Sequence, residues 1–361
     1  THAYAGMADW LQLYDEHPGD AEIQLACLVE SVAHAAYDVL REPEYPFTGK
    51  ITDFDADRFV ADIEAENEDA AVAAIRGGIR DGLQFADFEE ALSRAALLHY
   101  NDFGHALIYV TKAGALIERL GKTVAQPLLL SLVREIVYAS REDKIPEFRA
   151  YATQLAKWGQ HKNQSPDPDL WRRKSINKSL KAAVACSGSD SGQIYRALLL
   201  ANAVNLLSFD ISQQDKIHVS VSGNVGWLDF THGLTFAVAV RRQCSRFPHL
   251  WPQGLLQMAC FNGRNAGFTN DDIDLESWRA DDIEDKLAQL LEQVLDHGQG
   301  EHIVSVHLLK TALAVRQEIQ DLEPPDAEIL VAAVTRFFES PLKRRQVRRT
   351  AFQSLQFVAK E

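Results

Sequence analysis

Apolar residues recur at i, i+3, i+4 and i+7 over long windows, the spacing that lays one stripe along an α-helix. The pattern predicts helices over 87–121, 126–140, 193–208, 230–242, 283–295 and 303–322. Ala and Leu dominate these windows, and both are strong helix formers. Strand-like alternation is confined to 216–222, KIHVSVS. The chain therefore reads as all-α. Pro46, Pro127, Pro146, Pro252 and Pro341 predict element boundaries, because proline lacks the N–H that a helix interior needs. Gly121 reads as a helix C-cap.

The helical pattern is interrupted at 160–192, which begins and ends polar and rich in Ser, Gly and Pro. This predicts an N-terminal helical half (1–160), a linker or lid (161–192) and a C-terminal helical half (193–361). The basic run KRRQVRR at 343–349 reads as a solvated helix face.

Two segments echo each other across these halves: NDFGHALIYV at 101–110 and LDFTHGLTFA at 228–237. Asp102 and Asp229, and His105 and His232, stand at one common offset, and a proline and an apolar helix follow each copy. Looser echoes occur in THAYAG at the start, in AHAAY around His34 and in VHLLKT around His307. The halves therefore read as diverged copies of a helical-hairpin unit around a shared core.

Asp and His at i and i+3 share a helix face. Two facing copies would place Asp102, His105, Asp229 and His232 around one cavity as catalytic or ligating groups, with His34 and His307 as further ligands. Glu30 repeats the carboxylate–imidazole pairing four residues before His34. Such a set suits iron or another transition metal. A plainer reading makes the aspartates N-caps and the histidines packing residues. Tyr109 and Phe236 would line an apolar pocket, and Arg264, in CFNGRNAG, would grip an anionic or carbonyl group. Neither the Glu-x-x-His pairs of di-iron bundles nor HExxH occurs. Nucleotide-binding glycine motifs and GxSxG are absent too.

Composition narrows the partners. The 361 residues carry 51 acidic and 37 basic side chains, a formal charge of -14. That balance argues against nucleic acid, which needs clustered Lys and Arg. No apolar tract approaches about 20 uninterrupted residues, so a membrane is not expected as a partner. Cys27, Cys186, Cys244 and Cys260 form no CxxC pair, which excludes a zinc ribbon and fits reduced thiols in a cytoplasmic protein. The first residue is Thr1 rather than Met, which leaves room for a module upstream.

The His-led helices HALIYVTKAGALIERLG and HGLTFAVAVRR resemble segments of the questin oxidase-like family. The likeness covers about a third of the chain, in patches around His34, His105 and His232. It departs at the start, where fungal members are His-rich and only His2 stands here. The family includes fungal enzymes of anthraquinone and aflatoxin-type polyketide pathways, associated with Baeyer–Villiger-type ring cleavage. The resemblance implies an all-α oxidoreductase acting on an aromatic or polyketide-like small molecule. It also implies that His34, His105 and His232 face a shared pocket, and that an upstream Rieske-type or other electron-transfer module accompanies the chain. The rival expectation is a non-enzymatic helical-repeat scaffold or a small-molecule carrier.

Overall fold

The computed structural model describes residues 2–41, 45–98, 104–139, 148–160, 164–216, 218–220, 223–342 and 347–359. Within them are sixteen α-helices and no strand, the only β-type pairing being an isolated bridge between Phe209 and Thr269. The fold is all-α.

Four helices form its centre: α1 (His2–Glu16), α6 (His105–Leu120), α11 (Trp227–Arg246) and α14 (His302–Glu318). Each packs on the next, and α14 closes back onto α1. A second layer surrounds this ring. The helix α2 (Ala21–Arg41) lies on α1, while α5 (Phe85–Ala96) and α7 (Lys122–Val137) cover α6. The helices α10 (Ser191–Leu207) and α12 (Trp251–Asn265) cover α11, and α13 (Ile283–Leu295) and α15 (Pro324–Glu339) cover α14. The helices α3 (Ala56–Glu64) and α4 (Glu68–Arg80) extend the layer beyond α5 and α7. The rest are α8 (Tyr151–Leu155), α9 (Ile176–Ala185) and α16 (Val347–Val358).

Several expectations change. The window 87–121 contains two helices, α5 and α6, rather than one. Gly121 does end α6, with φ +82°, a conformation glycine adopts without strain. Pro127 lies inside α7 instead of at its start.

The segment expected as a linker or lid contains the helix α9 and several buried side chains. Trp171, Leu180, Ala183 and Cys186 are buried, the Trp171 indole N–H donates to the Ser179 carbonyl, and α9 packs on α12. At Gly263 the α12 backbone comes so close to Ile176 that a Cβ would sit 2.5 Å from its Cα. Apolar burial therefore coexists with the polar flanks there.

The composition-based view of membranes also needs one amendment. Among the described residues, α2 is long and apolar enough to cross a membrane by length and composition, with a mean hydropathy of 1.2 over its best window.

Candidate metal centre

Each ring helix brings one histidine to the same end of the ring. His2 and His105 are the first residues of α1 and α6, and His232 and His307 stand in the second turns of α11 and α14. Side chains on a helix lean toward its N-terminus, so both positions deliver an imidazole to the ring mouth. One ring nitrogen from each of the four lies within 4.8 Å of all the others. His105 Nε2 is 2.7 Å from His232 Nε2, and His307 Nε2 is 3.3 Å from the same atom.

The protons on these rings follow from their outer contacts. His232 Nδ1 donates to the Leu228 carbonyl at 2.6 Å, and His307 Nδ1 donates to the Ile303 carbonyl at 2.5 Å. In a neutral imidazole the other nitrogen then carries a lone pair. Two Nε2 lone pairs are thereby aimed inward by backbone acceptors, the arrangement that orients metal-ligating histidines. His2 Nδ1 meets the Tyr109 hydroxyl at 3.3 Å, while His2 Nε2 is buried with no hydrogen-bond partner. Burial above all, then neighbouring positive charge, holds all four rings well below the ordinary histidine value of 6.5.

Within the group His232 Nε2 meets His105 Nε2 and Lys310 Nζ, whereas His2 Nε2 lacks a partner that a cation would supply. Metal–nitrogen bonds of about 2.0–2.1 Å put tetrahedral nitrogens about 3.3–3.4 Å apart, between the closest separation seen here and the widest. The four histidines could therefore hold a metal ion.

Beneath this layer lies a second one of charge. Lys310, one turn after His307, is buried, with Nζ 3.2 Å from His232 Nε2. Burial pushes its ammonium down to about 7, against the opposing pull of Asp9. The buried Asp9 carboxylate is paired with Lys112. A cavity of about 440 Å³ then opens along the downstream turns of the same four helices. Lys310, Lys112, Thr111 and Thr235 form its inner polar part, Leu11, Ile108, Leu116 and Leu313 line its walls, and Asp15, Arg119 and Arg242 stand farther along. Since all four helices give histidines at their starts and cavity wall at their later turns, they run in one common direction.

The sequence-predicted residues divide sharply. His105, His232 and His307 meet as expected. Tyr109 joins them, its ring stacked on His105 with centroids 5.2 Å apart. Asp102 lies outside the described residues. Asp229 is absent from the four-membered group: its Oδ2 accepts the Gly226 N–H at 2.8 Å, and its Oδ1 faces Arg264 at 3.4 Å. It serves the start of α11, as a carboxylate at that helix position does. Arg264 is engaged by Asp229 and lies beside the Phe268 ring.

Phe236 is core, packed on Phe261 and against Gly104. His34 does not join the ring. It sits on the outer helix α2, stacked on His302 at 5.2 Å, and Glu30 nearby contacts His297 and His302. Cys260 is buried.

His2 and Lys310 are the site residues that sequence reasoning missed. Both lay inside recognised echoes, THAYAG and VHLLKT. The available signal was a histidine at the head of an apolar helix. Comparison of the chain with protein-family models, with curated proteins and with solved structures finds no match.

Proposed function

We propose that the chain is a metal-dependent oxidoreductase in which His2, His105, His232 and His307 bind a first-row transition metal, iron being the metal of choice, beside a cavity for a small apolar molecule. The observation that carries this reading is the convergence of four neutral imidazole nitrogens with no protein partner for His2 Nε2. Imidazole suits Fe, Cu, Ni and Zn. With no carboxylate in the group, the donors leave the ion's charge undiminished. The starts of four helices add further positive potential. Such a site favours an oxyanion as the remaining ligand, which fits a phenolic, polyketide-like substrate entering past Leu11, Ile108 and Leu313.

The chain's own groups supply the rest. Tyr109 holds His2, the backbone carbonyls of Leu228 and Ile303 hold His232 and His307, and Lys310 stands where the cavity meets the histidines. A bound metal would supply oxygen activation. Insertion of one oxygen atom consumes O₂, two protons and two electrons and releases water. The electrons come from an external donor, the role expected of a Rieske-type or other electron-transfer partner. A cytoplasmic location provides such donors.

Untagged protein analysed for metals should carry close to one equivalent of one transition metal, and His232→Ala should lack it. Full oxidative turnover of a phenolic substrate by protein free of transition metal sinks the metal reading. The observation favouring the second reading, metal-free acid–base chemistry, is the Lys310–His232 contact at 3.2 Å.

A further inference from the structure

A second cavity, of about 490 Å³, opens among α5, α6, α7 and α11. None of the four clustered histidines lines it. It adjoins the first cavity, since Glu118 and Arg242 line both. Its floor is apolar: Leu83, Phe85 and Ile117 are half-buried there, beside the buried Leu129. Apolar side chains left partly exposed in a concavity of this size are what the body of a small ligand covers.

The rim is charged, and part of that charge is already spent. Arg246 pairs with Glu89 at 3.0 Å. Glu89 also accepts from Gln243 Nε2 at 3.0 Å, and Gln243 Oε1 accepts from Ser93 Oγ at 3.0 Å. Glu89, Gln243 and Ser93 are all buried. This network anchors Arg246 and neutralises the Glu89 carboxylate. Lys122 and Arg242 then remain, against Glu118. Neither Lys122 nor Arg242 has a side-chain hydrogen bond or ion pair among the described residues. The helix α7 begins on the same rim without a side-chain cap, so its first N–H groups add partial positive charge.

We propose that this cavity binds a monocarboxylate with an apolar body of about ten carbons, a size suited to such a site. The carboxylate lies on Arg242 and Lys122, and the body covers Leu83, Phe85 and Ile117. The case stands apart from the chemistry of the histidines. A guanidinium fork matches a carboxylate with two parallel charge-assisted hydrogen bonds. A cationic ligand would instead meet two unpaired cations. The chain's net charge of -14 opposes any anion at long range, but salt screens that repulsion beyond about 8 Å. It weighs least on a ligand with a single charge, whose hold comes from contact with the rim and floor.

Isothermal titration calorimetry of the full chain with decanoate, and with uncharged decanamide, tests the proposal. Decanoate should bind saturably, with and without EDTA. Decanamide should bind about tenfold more weakly or worse, and Arg242→Gln should weaken decanoate by a similar factor. Arg242 is exposed, so unchanged circular dichroism shows that this variant folds. Ala125→Trp fills the second cavity alone and should abolish binding, while Ala8→Trp fills the first alone and should leave it intact.

Five results overturn the proposal. They are no saturable decanoate binding up to about 1 mM, decanamide binding equally well, Arg242→Gln without effect, and inorganic phosphate binding as tightly as decanoate. The fifth is binding that is lost with EDTA or with Ala8→Trp but kept with Ala125→Trp, which moves the ligand to the histidines and their cavity.

Discussion

Replacing His232 by alanine strikes the centre of the proposed site. His232 Nε2 is the atom nearest three others: His105 Nε2 at 2.7 Å, Lys310 Nζ at 3.2 Å and His307 Nε2 at 3.3 Å. Two effects follow, and chelation separates them. The first is a cavity in a buried site, worth about 3 kcal/mol by analogy with other large-to-small core changes; it is present with or without metal.

The second is loss of the ion's stabilisation. At an effective metal concentration of about a thousand times the dissociation constant, binding adds about 4 kcal/mol to the folded state. For a chain larger than 250 residues each kcal/mol moves the thermal midpoint by about 1–2 °C, so metal removal should lower it by about 4–8 °C. Differential scanning calorimetry with and without EDTA, on wild type and His232→Ala, makes the comparison. Wild type should show the EDTA shift. His232→Ala should start lower and show none. Equal shifts in the two proteins, or no shift in wild type, would refute the assignment of these histidines to a metal.

The remaining predictions concern the groups around the site. Gly104 has φ +83°, and a Cβ there would lie 2.2 Å from the Phe236 ring; Gly104→Ala should cost about 2–4 kcal/mol in denaturant unfolding and lower metal occupancy, because it separates α6 from α11. A loss under about 0.5 kcal/mol contradicts this. Asp229→Ala should cost about 1 kcal/mol as a lost helix-start interaction while leaving metal content intact, and a protein purified without metal returns Asp229 to the list of ligands.

Glu30 is held below its ordinary 4.5, chiefly by the hydrogen bond from His297. A carboxylate with a lowered folded pKa stabilises above its unfolded value and loses that contribution as pH falls through the folded one. The thermal midpoint of wild type should therefore exceed that of Glu30→Gln above about pH 4.5 and converge with it in stronger acid. A gap that stays constant from neutral pH into acid rejects this origin.

Much of the fold was legible because helix formation is written in local spacing. The window 283–295 coincides with α13, and 193–208 falls within two residues of α10. The burial of Trp171 was not legible, because polar flanks report composition, whereas the indole N–H finds its acceptor only where α9 places the Ser179 carbonyl beside it. The site was half legible for a related reason. His105, His232 and His307 share with His34 the same local signature, an imidazole ahead of small and apolar residues.

Sequence by itself determined an all-α chain and a set of His-led helices as candidates for chemistry. Which of those histidines meet was decided only by the closure of α1, α6, α11 and α14 into a ring. That closure put His2 inside with Lys310 and left His34 outside on α2, because a helix period fixes which residues share a face and says nothing about which face turns inward. Asp229 shows the same limit from the other side. Its spacing to His232 allowed a shared role, but the Gly226 N–H, three residues away, was the nearer partner.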